Sequence, residues 1–361
     1  MADLTVYDST DFKEVDDIEL LWRAVVDGTS YAWFWSTYYE HCFRISVLKA
    51  NGKFIQDKSF LIYDNKNLCG LVPLVFVNSS DFDGIDASYD KPLPWPMIMD
   101  SVQDKISLIE FVFNKIDKIA YDNNVQKISL QYSPPGLENT FGEIFSTIVK
   151  NNKYIDNSFK SHYISISSSV LSHVRKRYKR YVKKYSDLYK LNIVDKNNFY
   201  INISKEYMKL HIKDSGAFLR PLETYVEQFN WVVKGDGFVV QAINIQTNKI
   251  VGMLIICMSK KAAYDASVAV DPDFQQDYVS HLMKWNAIQH LIDNGVSYYE
   301  LGEVAENSGY LRLPSKKNYG ISFFKDGWSR GKNKKTLIYD KYFSKSALSK
   351  VWDKKLSELI E

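Results

Sequence analysis

The sequence predicts an α/β protein, with α+β features, built from two copies of one mixed unit. Three observations carry this. Ala262–Val270, Tyr278–Asp293 and Tyr298–Gly302 read as strand, long helix and strand, the pattern of a parallel βαβ crossover. One order of elements (helices, hairpin, strand, helix, strand) runs from about Asp16 to Tyr132 and again from about Glu206 to Phe324, with no sequence identity between the halves. A chain of 361 residues, 45% hydrophobic and 15% aromatic, has the length for two domains and the apolar area for two cores. The expected domains are 1–158 and 159–361, with a basic helix at 170–188 and a terminal helix at 344–361 free to pack back on the first domain.

In chain order, Asp16–Ala24 reads as a short helix, and the aromatic run Tyr31–Tyr39 as a helix packed on a sheet or the lining of a cleft. Lys58–Tyr63 and Leu68–Val77 form a hairpin about the turn residues Asp64–Asn67. Asn78–Pro96 is a polar loop that its prolines hold extended. Gln103–Asn123 carries apolar residues at helical spacing, Gln126–Tyr132 is a strand, and Leu137–Val149 a further helix. His162–Ser167 is a strand whose serines can cap the basic helix after it. Glu206–Leu219 and Pro221–Val233 are helical. Phe238–Ile245 and Ile250–Met258 form the second hairpin. After the βαβ unit, Ile321–Trp328 and Lys335–Tyr339 read as strands and Ser344–Glu361 as an amphipathic helix.

The bulk properties exclude more than they assign. A net charge of +3 gives no global affinity for polyanions. Cys42, Cys69 and Cys257 are too scattered for a disulfide framework or a zinc site, and their apolar neighbours suit buried, reduced thiols. The first residues lack the basic and apolar regions of a secretory leader, and the longest apolar run, Ile250–Met258, is too short for a membrane span. A cytoplasmic location is the expectation. The six histidines have no metal-ligand spacing, so no metal site is expected. His281 and His290 read as ordinary helix-surface residues.

Several motifs bear on chemistry. Gly327–Gly331 fits Gly-x-Ser-x-Gly, but no helix follows the serine and no histidine lies downstream, so a hydrolase elbow is rejected. A coenzyme A site of the ordinary kind needs a glycine turn after its central strand. Between Gly252 and Gly295 there is no glycine, and Asp271–Asp277 is acidic where the pyrophosphate would sit. No cofactor is therefore expected. Polar residues interrupt the apolar pattern at Tyr264, Asp265, Glu303 and Lys325, in or at the ends of strands, where ligands collect in open α/β sheets. For Asp265 and Glu303 the competing role is structural pairing with basic neighbours; for Lys325 it is a solvated strand end. Arg220, before Pro221, suits a phosphate or a helix end equally. In the basic helix, Tyr178, Tyr181 and Tyr185 share one face, while Arg175–Lys184 supplies seven cations and no acid. Such crowding disfavours a helix unless an anion offsets it. A solvated face and a surface for a polyanion both remain open.

The element order is that of a tandem GNAT-like fold, and three stretches resemble the Fem-type (FemAB-like) transferases and their GNAT-like relatives of polysaccharide biosynthesis. They are Tyr163–Ser167 with the basic helix from Val174; Tyr264–Ser267 through Leu282–Ile288 to Gly295–Gly302; and Phe324–Gly331. In the last, Lys325 takes the family's lysine position, Trp328 replaces an aromatic, and Ser329 stands where glycine is usual. Pro96–Asp100 echoes a first-domain strand ending in aspartate, which adds Asp100 to the binding residues. The resemblance implies tandem GNAT-like domains, each a mixed sheet flanked by helices. It also implies an acyl- or aminoacyltransferase acting on an amine of a cell-envelope sugar or peptide precursor, with charged tRNA or an acyl thioester as donor. Lys325 would be catalytic, and Tyr264, Asp265, Glu303, Arg220, Arg177, Arg180, Asp100 and Trp328 would bind substrate, with the basic helix contacting tRNA. Two other readings stay open: a coenzyme A-dependent N-acyltransferase of a nucleotide-activated amino sugar, and a non-catalytic nucleic-acid-binding module whose tyrosines stack on bases.

Overall fold

The structure is a computed structural model that describes residues 7–12, 15–132, 148–149, 151–306 and 314–360. The chain forms two compact units. One holds the residues up to Phe159 together with Lys335–Glu361. The other holds Lys160–Glu306 and Pro314–Lys334.

In chain order the first unit begins with β1 (Tyr7–Asp11), α1 (Ile18–Asp27), α2 (Tyr38–Ala50), β2 (Ile55–Asp57), β3 (Phe60–Asp64), β4 (Asn67–Val72), β5 (Val75–Asn78), β6 (Ile85–Ala87), β7 (Leu93–Pro94) and β8 (Met97–Ile98). Then come α3 (Lys105–Asp122), β9 (Val125–Tyr132) and β10 (Ile155–Asp156). The second unit follows with β11 (Phe159–Ser165), α4 (Val170–His173), α5 (Lys176–Tyr185), β12 (Tyr189–Val194), α6 (Ile203–Ser215) and α7 (Leu222–Val233). It continues with β13 (Gly237–Asn244), β14 (Lys249–Ser259), β15 (Ala262–Val270), α8 (Val279–Asp293), β16 (Tyr298–Glu303) and α9 (Lys316–Ser329). The chain closes with β17 (Asn333–Tyr342) and α10 (Lys345–Ile360).

The first unit contains an antiparallel sheet ordered β1-β3-β4-β8 and a mixed sheet ordered β17-β9-β6-β5-β2. The expected returning strand Leu68–Val77 is two strands. Pro73 has no N–H to donate to a ladder, so β4 stops before it and β5 resumes in the other sheet. The backbone groups of Leu74 are satisfied at the crossing, where its N–H donates to Ser59 Oγ at 2.9 Å and its carbonyl accepts from Lys58 N–H. The segment expected to be only a loop, Asn78–Pro96, contributes β6 and β7, both parallel to β9. Its strand signal was hidden by polar residues that are buried here, Asp86 and Ser88. The core gathers Phe60, Phe76, Trp95 and Phe113. The helix expected at Leu137–Val149 lies outside the described residues except for its last two positions.

The second unit holds one mixed sheet ordered β12-β13-β14-β15-β16-β11. The pairing of β15 with β16 is parallel, with α8 as the crossover. A bulge interrupts the ladder between β14 and β15: Ile255 faces Ser267 but Ile256 faces Asp265, so Ala266 is the extra residue. A bulge re-aims the side chains beyond it, and this one brings Asp265 to the same face as Val268 and Val270.

Two expectations for this unit change. Ile321–Trp328 is no strand but the body of α9. Aromatic and β-branched residues gave it a strand-like composition, yet Ile321, Phe324, Lys325 and Trp328 repeat at helical spacing. Ser315 caps the helix by accepting the Asn318 N–H at 3.2 Å. The basic helix is also broken. The Arg175 N–H donates to the Gly327 carbonyl of α9 at 3.1 Å, which separates α4 from α5.

Candidate active site

The bulge in β15, the first turns of α8 and one face of α9 enclose a cavity of about 460 Å³. Its apolar wall is Leu254, Val268, Val270, Val279, Ile321 and Phe324. On α9, Lys317, Gly320, Ile321, Phe324 and Lys325 line it at i, i+3, i+4, i+7 and i+8, one continuous helix face.

The charged end is built from three side chains. Asp265 comes from β15, Lys284 from α8 and Lys325 from α9. Lys284 is 3% exposed, a very low value for a lysine. It occupies a core position of α8, on the stripe continued by Ala287, Ile288 and Leu291. Its ammonium ion-pairs with Asp265 and donates to the Tyr299 hydroxyl at 2.9 Å. Burial and the charge of Lys325 pull its pKa down, against the pull of Asp265 upward. Burial raises the Tyr299 phenol, so it stays protonated.

Lys325 is held differently. Burial lowers its pKa, while the charges of Asp265, Glu303 and Glu300 oppose that shift without reversing it. Among the described residues it has no ion-pair partner within 4.0 Å. Its Nζ comes close over Gly302 of β16, whose φ of +89° suits glycine. A Cβ there would lie 3.0 Å from Nζ and 3.6 Å from the Tyr264 hydroxyl. Glu300 is engaged elsewhere, 3.0 Å from Lys334. Lys325 is thus a partly buried cation at the end of an apolar cavity, without an ion-pair partner among the described residues. Such a group can donate hydrogen bonds to developing negative charge.

The residues singled out in the sequence separate into groups. Asp265 and Lys325 come together in the lining, Tyr264 lies outside it with its hydroxyl near Gly302, and Glu303, exposed at the end of β16, acts on Lys325 by charge. Arg220 is not in this lining; it hydrogen-bonds Gln228 Oε1 and lies 4.2 Å over the Tyr225 ring. Asp100 belongs to the first unit, where it accepts the Ser30 N–H at 2.9 Å and the Ser30 hydroxyl at 3.1 Å. Trp328 is core, 2% exposed and packed on Tyr178. Arg177 and Arg180 are exposed on α5. Tyr178 is buried, and Tyr181 stacks on Tyr278 with ring centroids 3.6 Å apart.

His281 is a correction: it is buried, not on the surface of α8. Among the described residues neither ring nitrogen has a hydrogen-bond partner, and burial presses its pKa down to about 4. Lys284 was missed altogether. A lone charge within the apolar repeat of a helix was the available signal. Among the described residues no cluster of His, Cys, Asp or Glu is placed to hold a metal, and no helix is long and apolar enough to cross a membrane.

No family model and no curated protein matches this chain. Solved structures do. A structure of FemX matches with a TM-score of 0.68 at 10% identity, covering 95% of this chain and 99% of that one. A tandem GNAT protein from the clavulanic acid biosynthesis pathway, solved without AcCoA, matches with a TM-score of 0.51 at 7% identity, covering 93% and 98%. The C-terminal domain of a putative lysylphosphatidylglycerol synthetase from Agrobacterium fabrum gives 0.54 at 9% identity, covering 91% and 93%. At these identities the likeness establishes the fold: the chain has the Fem-type, tandem GNAT-like fold that its sequence motifs imply.

Proposed function

We propose that the protein is an acyltransferase that forms an amide on an amine of a sugar or peptide precursor of the cell envelope. The observation that carries this reading is Lys325, a partly buried ammonium without an ion-pair partner among the described residues, at the end of a cavity in a transferase-type fold. The amine attacks the donor carbonyl directly. The C–N bond forms, and the carbonyl oxygen takes up negative charge that the Lys325 ammonium stabilises. As the tetrahedral centre collapses, the bond to the carrier breaks, and the proton lost by the amine passes to the departing oxygen or sulfur. Holding both reactants in the cavity supplies much of the remaining rate.

The donor in this reading is carried without coenzyme A. The segment after β15 is a 3-10 turn, Pro272–Asp277, bearing Asp273 and Asp277, with Asp271 before it. Carboxylates at the start of α8 oppose a pyrophosphate there. The exposed cations of α5 suit a polyanionic carrier or a diphosphate-linked acceptor, and action in the cytoplasm accords with reduced cysteines.

The test is a transfer assay with purified protein. Charged tRNA, coenzyme A thioesters and carrier-protein thioesters are paired with amine-bearing nucleotide sugars and envelope peptides, and amide product is read by mass spectrometry. Lys325→Ala is expected to lower turnover by roughly 10²–10³ with little change in melting temperature. Activity within about threefold of the parent protein removes Lys325 from this role, by the same scale. Micromolar binding of acetyl-CoA replaces the donor assignment with a coenzyme A-dependent reaction.

A further inference from the structure

The charges in the cavity restrict what it can hold. Among the described residues Asp265 is its one carboxylate, and Lys284 takes that charge up in a buried ion pair. The remaining charged groups in the lining are Lys325 and the exposed Lys317, both cationic. His281 adds no charge at neutral pH. Glu300 and Glu303 are no part of the lining, and Glu300 is paired with Lys334. A donor with a free α-ammonium would bring a third positive charge beside Lys325 with no second carboxylate among the described lining residues to meet it; Glu303 acts on Lys325 from outside the lining. Like charges in a site of low dielectric repel strongly.

The walls point the same way. Along the six apolar side chains the cavity is large enough for a small-molecule chain. Two of them are left well open to solvent, Val268 at 43% and Ile321 at 44% exposure. A bound apolar chain would cover both.

We propose that the acyl group this site takes is an apolar chain lacking an α-ammonium, with its carbonyl oxygen at Lys325 and its chain along Val268, Val270, Ile321 and Phe324. This rests on the acyl-transfer reading and narrows the class of donor.

The experiment measures binding to the full chain by calorimetry, with free carboxylates standing in for the acyl group. The series is butanoate, hexanoate, octanoate and decanoate, and the matched pair is 4-methylpentanoate and L-leucine. Affinity should rise about fourfold per added methylene until the cavity is filled. The deaminated acid should bind at least about tenfold more tightly than leucine, since one unpaired like charge is worth at least that at an effective dielectric near 20. Gly320→Leu supplies the control. A Cβ at Gly320 meets nothing within 4 Å, and leucine is a better helix former than glycine, so the fold is kept. The variant should weaken decanoate by about tenfold or more, the worth of two or more methylenes, and leave butanoate unchanged.

A flat chain-length profile, leucine binding as well as its deaminated partner, or decanoate binding indifferent to Gly320→Leu overturns the proposal. The two readings fail separately. Carboxylates that bind as described while no donor yields an amide refute acyl transfer and leave the cavity assignment standing. Transfer of a free aminoacyl group without carboxylate binding does the reverse.

Discussion

Lys325 and Lys284 are both lysines that burial pulls below their ordinary pKa, yet they do different work because of what each can reach. Lys284 is spent on Asp265 and Tyr299. Lys325 must be protonated to donate to an oxyanion, and its lowered pKa sets where that capacity ends. The rate should therefore fall on the alkaline side of the profile as pH rises through a value below the ordinary 10.5. Loss of the acceptor amine's proton, which exposes the nucleophile, shapes the acid side. Lys325→Arg keeps a cation that does not titrate in this range, so whatever turnover it retains should lack the alkaline limb. A limb that persists in the arginine variant assigns it to another group. The sequence brought attention to Lys325 through its motif. Its environment was not legible there: Lys284 and Gly302 lie within the resembling stretches, but they come from other elements, and no spacing in the sequence says that they meet Lys325.

At the scale of elements, α9 is held against α5 at one contact without spare room. A Cβ at Gly327 would lie 2.1 Å from the Tyr178 ring. That ring cannot retreat, since it is 2% exposed and sits 4.4 Å from the His281 ring and 5.3 Å from Trp328. In an open helix, glycine to alanine gains up to about 1 kcal/mol. Here overpacking should win, and Gly327→Ala should destabilise by about 1–3 kcal/mol. Chemical denaturation reads the difference, and a raised denaturation midpoint would remove the contact from the account. This glycine also bears on the element read as a strand that is a helix. Glycines at Gly320 and Gly327, with Phe323 and Phe324 between them, depress helix propensity. Composition therefore favoured a strand where periodicity favoured a helix. The βαβ crossover was legible because α8 is long and its flanking segments carry apolar residues with strand-like brevity on either side of it. The change of sheet at Pro73 and the bulge at Ala266 were not, since both depend on which strand lies alongside.

At the scale of the molecule, a net charge of +3 conceals an uneven distribution. The ten residues of α5 carry six cations and no acid. Arg177 and Arg180 are exposed there, so replacing both with glutamine should leave the melting temperature unchanged. For a long polyanion, each lost phosphate contact should reduce the log–log salt slope of binding by about 0.7–0.9. A combined drop near 1.5 identifies such a partner by the same scale. A smaller drop with a raised acceptor KM identifies a diphosphate, and no change in either marks α5 as a solvated face. The order of the units along the chain matters in a different way. The first unit receives its strand β17 and helix α10 from the last part of the sequence, so the second unit is, in effect, an insertion within the first. On the ribosome, the second unit is complete in sequence before the first. For the interval in which Lys335–Glu361 is being made, β9 precedes the neighbour that pairs with it from Leu337 to Tyr342. Domains fold as units during synthesis. The unit that starts the chain is therefore the last to close, and a nascent chain stalled in this interval exposes an unpaired strand edge of the first unit.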